Sequence, residues 1–244
     1  MTEPLFLDAG DTALVVEFGT TIEREHAVAV MALADRLRAL RPVGVIDLMP
    51  SFRSLMVHYD PCVTSGAELQ AVIRPCLKRR EDEATPPRRV WRLPVCYEAD
   101  CAPDRASVAE RCNLTPAQVI EAHAAETYRV YMIGFLPGFP YMGDLVEALH
   151  LPRLETPRVN LPAGSVAIAN QLTAIYPLAS PGGWHLIGRS PVRLFDATSD
   201  RPALLAPGDA VRFEPVDRIT LAEIENRVRD GCYQPLQDRL EAPS

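Results

Sequence analysis

The sequence predicts an α+β protein of two domains, an N-terminal ferredoxin-like α+β domain followed by a C-terminal domain of short β-strands. Residues 1–85 alternate helical and strand periodicities, and residues 78–89 form a charged, proline-containing linker. From residue 128 onward, short apolar runs alternate with glycine and proline turns. A chain of 244 residues is long enough for one large or two small domains. Because the linker separates two different patterns, we place the domains at 1–85 and 86–244.

The N-terminal domain is predicted to follow the order β-α-β-β-α, which suits a small two-layer fold. Strands are expected at 13–18, 43–49 and 54–59, and the first helix at 22–40. The second helix begins at Ser65, where Glu68 completes a capping box. Each helix carries one apolar stripe at helical spacing, comprising Ala27, Val30, Ala34, Leu37 and Leu40 in the first and Leu69, Val72, Ile73, Cys76 and Leu77 in the second.

The C-terminal domain is predicted to open with a strand at 90–97 and two helices at 104–112 and 116–126. Thr115 is the expected N-cap of the second helix, because Pro116 and Gln118 complete a capping box after it. Further strands are expected at 128–133, 165–169, 184–187, 192–195 and 210–214. Many short strands with frequent turns predict either a β-sandwich or a closed β-barrel.

Composition narrows the range of functions. The net charge of −7 argues against nucleic acid and membranes as partners. No apolar run reaches the length of a transmembrane helix, and the N-terminus lacks the pattern of a secretory signal. The six cysteines form no CxxC pair and are interpreted as reduced thiols, which predicts a cytoplasmic protein. No Cys or His pair has ligand spacing, so no metal site is predicted.

Candidate site residues are concentrated between residues 123 and 191. Three stretches, GFLPGFPYMG (134–143), PRVNLPAGSV (157–166) and IYPLASPGGWHLIGRSP (175–191), place glycine and proline beside aromatic or cationic residues. Proline stiffens the backbone and glycine allows close approach, so these stretches could form a rigid pocket. Two arginines, Arg158 and Arg189, could bind a carboxylate bidentately. The substrate-binding candidates are Phe135, Pro137, Tyr141, Arg158, Tyr176 and Trp184, with Phe139 as a further wall. The alternative is that these segments are barrel turns with core aromatics.

The catalytic candidates are His123 and Arg189. His123 lies on the apolar face of the 116–126 helix, where it is either a hydrogen-bonded core residue or a general acid or base. The chain has neither a GxxxxGK[ST] phosphate loop nor a GxSxG nucleophile motif. It therefore looks incomplete as an enzyme that uses a nucleotide by itself.

At these stretches the chain resembles the B subunit of bacterial ATP-dependent 5-oxoprolinase. That family is also described as KipI-like, after a histidine-kinase inhibitor, and as allophanate hydrolase subunit 1. The matching runs are GFLPGFPYMG, LETPR, LPAGSVAIA, TAIYPLASPGGWHLIGRSPVRLFD and APGDAVRF, with RSLMVHYDP, LPVCYE and VIEAHAAETYRVYMIGF upstream in the same order.

The resemblance implies a cyclophilin-like β-barrel as the C-terminal domain. It also implies a heteromer with a homologous C subunit and a separate A subunit of 5-oxoprolinase, which together hydrolyse 5-oxo-L-proline to L-glutamate with ATP. That expectation agrees with the lack of a phosphate loop here. Two alternatives remain open, namely an inhibitor that docks on a sensor histidine kinase and a component related to allophanate hydrolysis or carboxyl transfer.

Overall fold

The computed structural model describes residues 3–77 and 89–238. The chain divides into two compact units, Met1–Pro86 and Pro87–Ser244. Apart from Arg89, the predicted linker lies outside the described residues, as does the predicted boundary between residues 85 and 86. The described ranges form a mixed α+β fold with five α-helices and a closed barrel of seven β-strands.

The first unit contains the predicted β-α-β-β-α order, with one more strand in front of it. Its four strands form a single antiparallel sheet in the order β1-β2-β4-β3. The sequence did not predict the first strand, because two of its apolar side chains, Leu5 and Leu7, stay exposed. The elements are β1 (Leu5–Asp8), β2 (Ala13–Glu17), α1 (Arg24–Leu40), β3 (Val45–Pro50), β4 (Ser54–Tyr59) and α2 (Gly66–Leu77).

Helix α1 buries most of its predicted apolar stripe, whereas α2 buries only part of its own and leaves Val72 exposed. Ala27, Val30, Ala34 and Leu37 of α1 are buried together with Leu33, whereas Leu40 at the end of the helix is exposed. In α2, Leu69 and Ile73 are buried. The predicted capping box is present, because Ser65 N–H donates to Glu68 Oε2 at 2.8 Å and Glu68 N–H donates to Ser65 Oγ at 3.3 Å. These bonds lower the pKa of Glu68.

The second unit contains the remaining elements, and both predicted helices after the first strand are present. The capping box at Thr115 is confirmed, with Gln118 N–H donating to its hydroxyl. The elements are β5 (Val90–Cys96), α3 (Arg105–Arg111), α4 (Pro116–Ala124), β6 (Thr127–Ile133), β7 (Pro140–Gly143), β8 (Arg158–Leu161), β9 (Ser165–Ala169), β10 (Leu172–Ile175), β11 (Ser180–Gly182), β12 (His185–Arg189), β13 (Ala210–Val216), α5 (Arg218–Arg229) and β14 (Leu236–Asp238), with one 3₁₀ turn at Glu147–Leu149.

Seven of these strands close into a barrel in the order β12-β9-β10-β7-β6-β13-β5. The ring closes where Arg189 of β12 pairs with Cys96 of β5. Strand β14 pairs with β5 at residues 90–92, the end of β5 opposite to Cys96. Strands β8 and β11 form a separate two-stranded sheet. The barrel interior is packed with apolar side chains such as Val95, Val130 and Ile168, all fully buried. The barrel alternative of the sequence prediction is therefore the one that this unit adopts.

Several elements of this unit differ from the prediction, which did not name the five short strands β7, β8, β10, β11 and β14. The segment 192–195 is not a strand; its Phe195 makes only an isolated bridge to Ala203. Helix α5 was missed because little of it is apolar, and only Leu221 and Ile224 are buried. It begins at Asp217, whose carboxylate accepts a 2.7 Å bond from Thr220 N–H. None of the helices in the described ranges has the length and apolar character needed to cross a bilayer.

Candidate functional site

Five aromatic side chains from two of the three singled-out stretches, 134–143 and 175–191, pack together and form what we call the aromatic cluster. Phe139 lies at its centre, with ring centroids 4.8 Å from Tyr141, 5.0 Å from Tyr176 and 6.1 Å from Trp184. Phe135 packs edge-on against Phe139 at 5.5 Å. Edge-to-face and tilted geometries of this kind are favourable for aromatic pairs. Side chains distant in sequence are thus joined at one place on the barrel.

Most side chains of the aromatic cluster are buried in the core and do not form the exposed wall of a pocket. Phe139, Tyr176 and Trp184 are at most 4% exposed, whereas Tyr141 is half-buried and Phe135 is 63% exposed. The two clefts along α5 described in this unit are lined by other residues. The prediction of an open aromatic pocket is therefore corrected: the members of the cluster that a ligand could contact are Phe135 and Tyr141.

The turn that presents Phe135 is held in an unusual conformation. Phe135 has φ of +70°, a left-handed conformation that is costly for a residue with a side chain. Gly138 has φ of +74°, and a Cβ there would lie 2.9 Å from Cβ of Phe195. Backbone bonds between Gly134 and Phe139 close the turn, with Pro137 exposed at its tip. The sequence prediction of a stiff, glycine-dependent turn agrees with this geometry.

Arg153 provides a cation at the solvent side of the aromatic cluster. Its Cζ atom lies 5.8 Å from the centroid of the Trp184 ring, and the side chain makes no ion pair within the described ranges. Burial raises the pKa of Tyr176 to about 12 and also raises that of Tyr141, and the charge of Arg153 opposes both shifts. Sequence reasoning missed this residue, although it follows Pro152 just as Arg158 follows Pro157.

Arg158 lies near the same cluster but is held by an acid. Its NH2 donates a 2.5 Å hydrogen bond to Oδ1 of Asp104, and its buried NH1 has no partner in the described part of the chain. The other carboxylate oxygen of Asp104 accepts a 2.7 Å bond from Leu186 N–H. Arg153, Arg158 and Asp104 together carry a net charge of +1, which complements a monoanion. Nothing in the sequence around Asp104 indicates this role, because its partner is remote in the chain.

Arg189 does not join Arg158 and Trp184, and this part of the predicted grouping is wrong. Arg189 and Trp184 lie at opposite ends of the extended segment that contains β12, about 16 Å apart along the strand. Arg189 instead forms a 2.8 Å ion pair with Glu225 of α5. An extended chain separates residues five positions apart too far for both to contact one small ligand.

His123 is in the barrel core and not at a pocket mouth. It is fully buried, stacked on Phe213 with 4.7 Å between ring centroids. Tyr97 hydroxyl bonds to Nδ1 at 2.8 Å, and Nε2 bonds to Thr173 Oγ1 at 2.9 Å. Burial lowers the pKa of His123 to about 3, so the ring is neutral near pH 7. The core alternative fits this environment, and the geometry does not support an acid or base role.

The structure offers no metal centre in the ranges it describes, since no group of three or more His, Cys, Asp or Glu side chains there could hold an ion. The six cysteines are all free. The groups present at the aromatic cluster are suited to the recognition of an anion by guanidinium groups beside aromatic faces.

Comparison with known proteins defines the class of this fold. The Kluyveromyces lactis urea amidolyase has the same fold, with a TM-score of 0.78 and 20% identity, over 96% of this chain and 16% of that one. The family described as carboxyltransferase domain, subdomain C and D, matches residues 4–205, and the chain belongs to this family.

Curated relatives of similar length share one particular name. The 5-oxoprolinase B subunit of Escherichia coli O157:H7 is 41% identical over 208 residues, which are 84% of this chain and 93% of that one. The protein of the same name from Bacillus subtilis is 37% identical over 214 residues, or 84% of this chain and 89% of that one. The expected family resemblance is thereby confirmed.

Proposed function

We propose that this chain is the B-type subunit of an ATP-dependent 5-oxoprolinase, which hydrolyses 5-oxo-L-proline to L-glutamate. The relatives of matching length that are named as 5-oxoprolinase B subunits support this assignment. The observation that links it to particular residues is the position of Arg153. Its guanidinium lies over the ring of Trp184 without an ion pair among the described residues, and its charge acts on Tyr176 together with that of Arg158.

The charged groups and the exposed aromatic side chains at the aromatic cluster suit 5-oxo-L-proline as the substrate. 5-Oxo-L-proline is a small ring with a single carboxylate, and Arg153, Arg158 and Asp104 sum to a charge of +1. In the proposal, Arg153 moves from the indole to bind the carboxylate, a displacement that costs about 1 kcal/mol at an exposed site. The substrate ring then packs against Tyr141 and Phe135, the accessible members of the aromatic cluster.

We propose that separate subunits are the partners of this chain and that one of them binds ATP. Since the sequence has no phosphate loop, the proposal assigns ATP to a separate A subunit. A homologous C subunit completes the heteromer, in the cytoplasm. We also propose that the first unit is ferredoxin-like and that the barrel is cyclophilin-like. His123 and Arg189 lie outside the proposed substrate contact.

Reconstitution tests this proposal. The chain is combined with its candidate A and C partners, and glutamate formation from 5-oxo-L-proline is measured with and without ATP. We expect activity that requires all components. Arg153→Gln should raise KM for 5-oxo-L-proline about tenfold or more, because a charge-assisted hydrogen bond to the carboxylate is lost. Full activity without this chain would refute the proposal.

A matched arginine elsewhere on the barrel provides the control. Within the described ranges the side chain of Arg212 on β13 donates to the Thr127 hydroxyl at 2.9 Å and to no other group, so Arg212→Gln removes the same charge away from the aromatic cluster. We expect its KM to equal that of the unaltered complex. Equal KM values for the Arg153 and Arg212 variants would contradict the proposed contact while leaving the role of the chain in 5-oxoprolinase standing.

A second candidate function is a component of carboxyl transfer or allophanate-related chemistry. It is favoured by the family description and by the Lachancea kluyveri urea amidolyase, which is 24% identical over 263 residues, 95% of this chain and 14% of that one. A substrate panel on the reconstituted complex separates the two candidates. Turnover of allophanate without turnover of 5-oxo-L-proline would favour the second.

A further inference from the structure

A cleft of about 330 Å³ lies between the end of β12 and α5, at the opposite end of β12 from Trp184. We call it the arginine cleft. It does not contain the residues of the aromatic cluster, and the proposed function assigns it no role. The polar residues that line it are Arg189, Ser190, Arg193, Glu225 and Arg229.

The charges in the arginine cleft are unbalanced. Three guanidinium groups and the carboxylate of Glu225 give a net charge of +2. Only Arg189 is paired with Glu225, through its NH2 at 2.8 Å. Its Nε is buried and has no hydrogen-bond partner in the described residues, although a buried donor is normally satisfied. The cleft thus holds a donor for which the described part of the protein supplies no acceptor.

The other two arginines are free to turn toward a ligand. Arg193 reaches Asp196 at 3.3 Å, but the two side chains are 59% and 39% exposed, and surface ion pairs of this kind contribute little to stability. Arg229 forms no ion pair with any residue in the described ranges. Neither guanidinium is therefore committed to the fold.

The backbone holds the rim of the arginine cleft in one position. Gly164 has φ of +83°, and a Cβ there would lie 2.3 Å from the carbonyl oxygen of Ser190. Ser190 N–H donates to Gly164 O at 2.8 Å, so the two segments are joined directly. Arg189 is anchored next to this contact. Apolar residues, among them Pro177, Pro191 and Val228, form the remaining wall.

We propose that the arginine cleft binds a phosphate group carried by a small molecule. A phosphate has about two negative charges at pH 7, which matches the net +2, and three acceptor oxygens that guanidinium groups bind bidentately. The volume is near the lower limit of small-molecule sites and exceeds the space that one phosphate needs. The apolar wall would contact the rest of the ligand.

Calorimetric titration of the full chain tests this site, with pyrophosphate, inorganic phosphate and the dicarboxylate glutarate at equal ionic strength. We expect saturable binding of pyrophosphate, with phosphate weaker and glutarate weakest. The double variant Arg193→Gln/Arg229→Gln should bind pyrophosphate at least tenfold more weakly, because two charge-assisted contacts are lost. Arg212→Gln is the matched control and should not change the affinity.

A variant that should bind pyrophosphate more tightly distinguishes the loss of a ligand contact from a loss of folding. Glu225→Gln removes the acid that competes for Arg189, so pyrophosphate should bind more tightly than to the unaltered chain. No saturable binding at millimolar pyrophosphate would overturn the proposal, as would glutarate binding equally well or an unchanged affinity in the double variant. Because the titration needs this chain alone, its outcome is independent of the activity assay.

Discussion

Asp104 and Arg158 are joined by a 2.5 Å hydrogen bond between Oδ1 and NH2, although they come from remote parts of the chain. Asp104 precedes α3, and Arg158 begins β8. The second oxygen of Asp104 is bonded to the backbone of β12. One carboxylate thus links a helix start and two strands, and it sets where the guanidinium of Arg158 lies relative to the aromatic cluster.

Replacing this acid should therefore destabilise the barrel unit. Asp104→Asn removes the charge that balances Arg158, and we expect a loss of about 1–3 kcal/mol in the free energy of unfolding. Urea denaturation measures it. Asp100→Asn is the matched control, because its ion pair with Arg218 is more than half exposed on the Asp100 side and should contribute less than about 1 kcal/mol. Equal losses in both variants would contradict this role of Asp104.

The buried histidine predicts a pH dependence of stability. The pKa of His123 is about 3 in the folded chain and about 6.5 when unfolded, so the unfolded chain binds one more proton between these values. Stability due to this group is complete above about pH 6.5 and falls by about 1.4 kcal/mol for each pH unit below it. His123→Gln should remove this contribution to the slope of unfolding free energy against pH.

The control for that slope is His58→Gln, which removes an imidazole near the surface whose Nε2 lies 3.2 Å from Met49 Sδ. We expect the His58 variant to keep the steep acid dependence of the unaltered chain. If the slope below pH 6.5 were the same with and without His123, the neutral, buried state inferred from the structure would be wrong.

Two adjacent glycines should respond differently to the same substitution. A Cβ on Gly182 would lie 2.4 Å from the Tyr176 hydroxyl oxygen and 2.6 Å from Leu161 Cδ1, whereas a Cβ on Gly183 meets nothing closer than 3.6 Å. Gly182→Ala should therefore cost about 1–3 kcal/mol through overpacking, and Gly183→Ala much less. Thermal unfolding compares them. Tyr176→Phe should recover part of the Gly182 loss, because it removes the closest atom; no recovery would argue against this contact.

Gly164 combines a strained conformation with a close approach. Its φ is +83° and the site of a Cβ is 2.3 Å from a backbone oxygen, while Gly231 has φ of +72° and open space around it. Gly231→Ala should cost about 1–2 kcal/mol from backbone strain alone, and Gly164→Ala clearly more. Chemical denaturation of both variants checks the difference. Similar losses of stability in the two variants would mean that the backbone at Ser190 can shift at little energetic cost and relieve the contact.

Local patterns predicted the elements that carry their own signals. Strand β4 was predicted at 54–59 and β9 at 165–169, which are the bounds observed, and the capping boxes at Ser65 and Thr115 marked two helix starts. Strand β1 and helix α5 could not be found in this way. Both expose most of their side chains, and their partners rather than their composition define them.

The candidate site was likewise predictable only where local sequence carries a signal. The glycine- and proline-rich stretches indicated that Phe135, Tyr141, Tyr176 and Trp184 matter together, since stiff turns beside aromatic residues are a local signal. Spacing along the chain could not show that Arg189 points to α5. It also could not show that Arg153 lies over the indole, because both depend on how separate segments meet in space.

The sequence by itself determined the family, the β-α-β-β-α order of the first unit and the motifs that contribute aromatic and cationic side chains. The family resemblance implied a β-barrel, but only the tertiary structure decided which seven strands close it, that His123 is enclosed and neutral, and that the two arginines of the prediction belong to different places. The reason is physical: turn chemistry and periodicity act over a few residues, whereas burial, pKa and ion pairing depend on side chains brought together from distant parts of the chain.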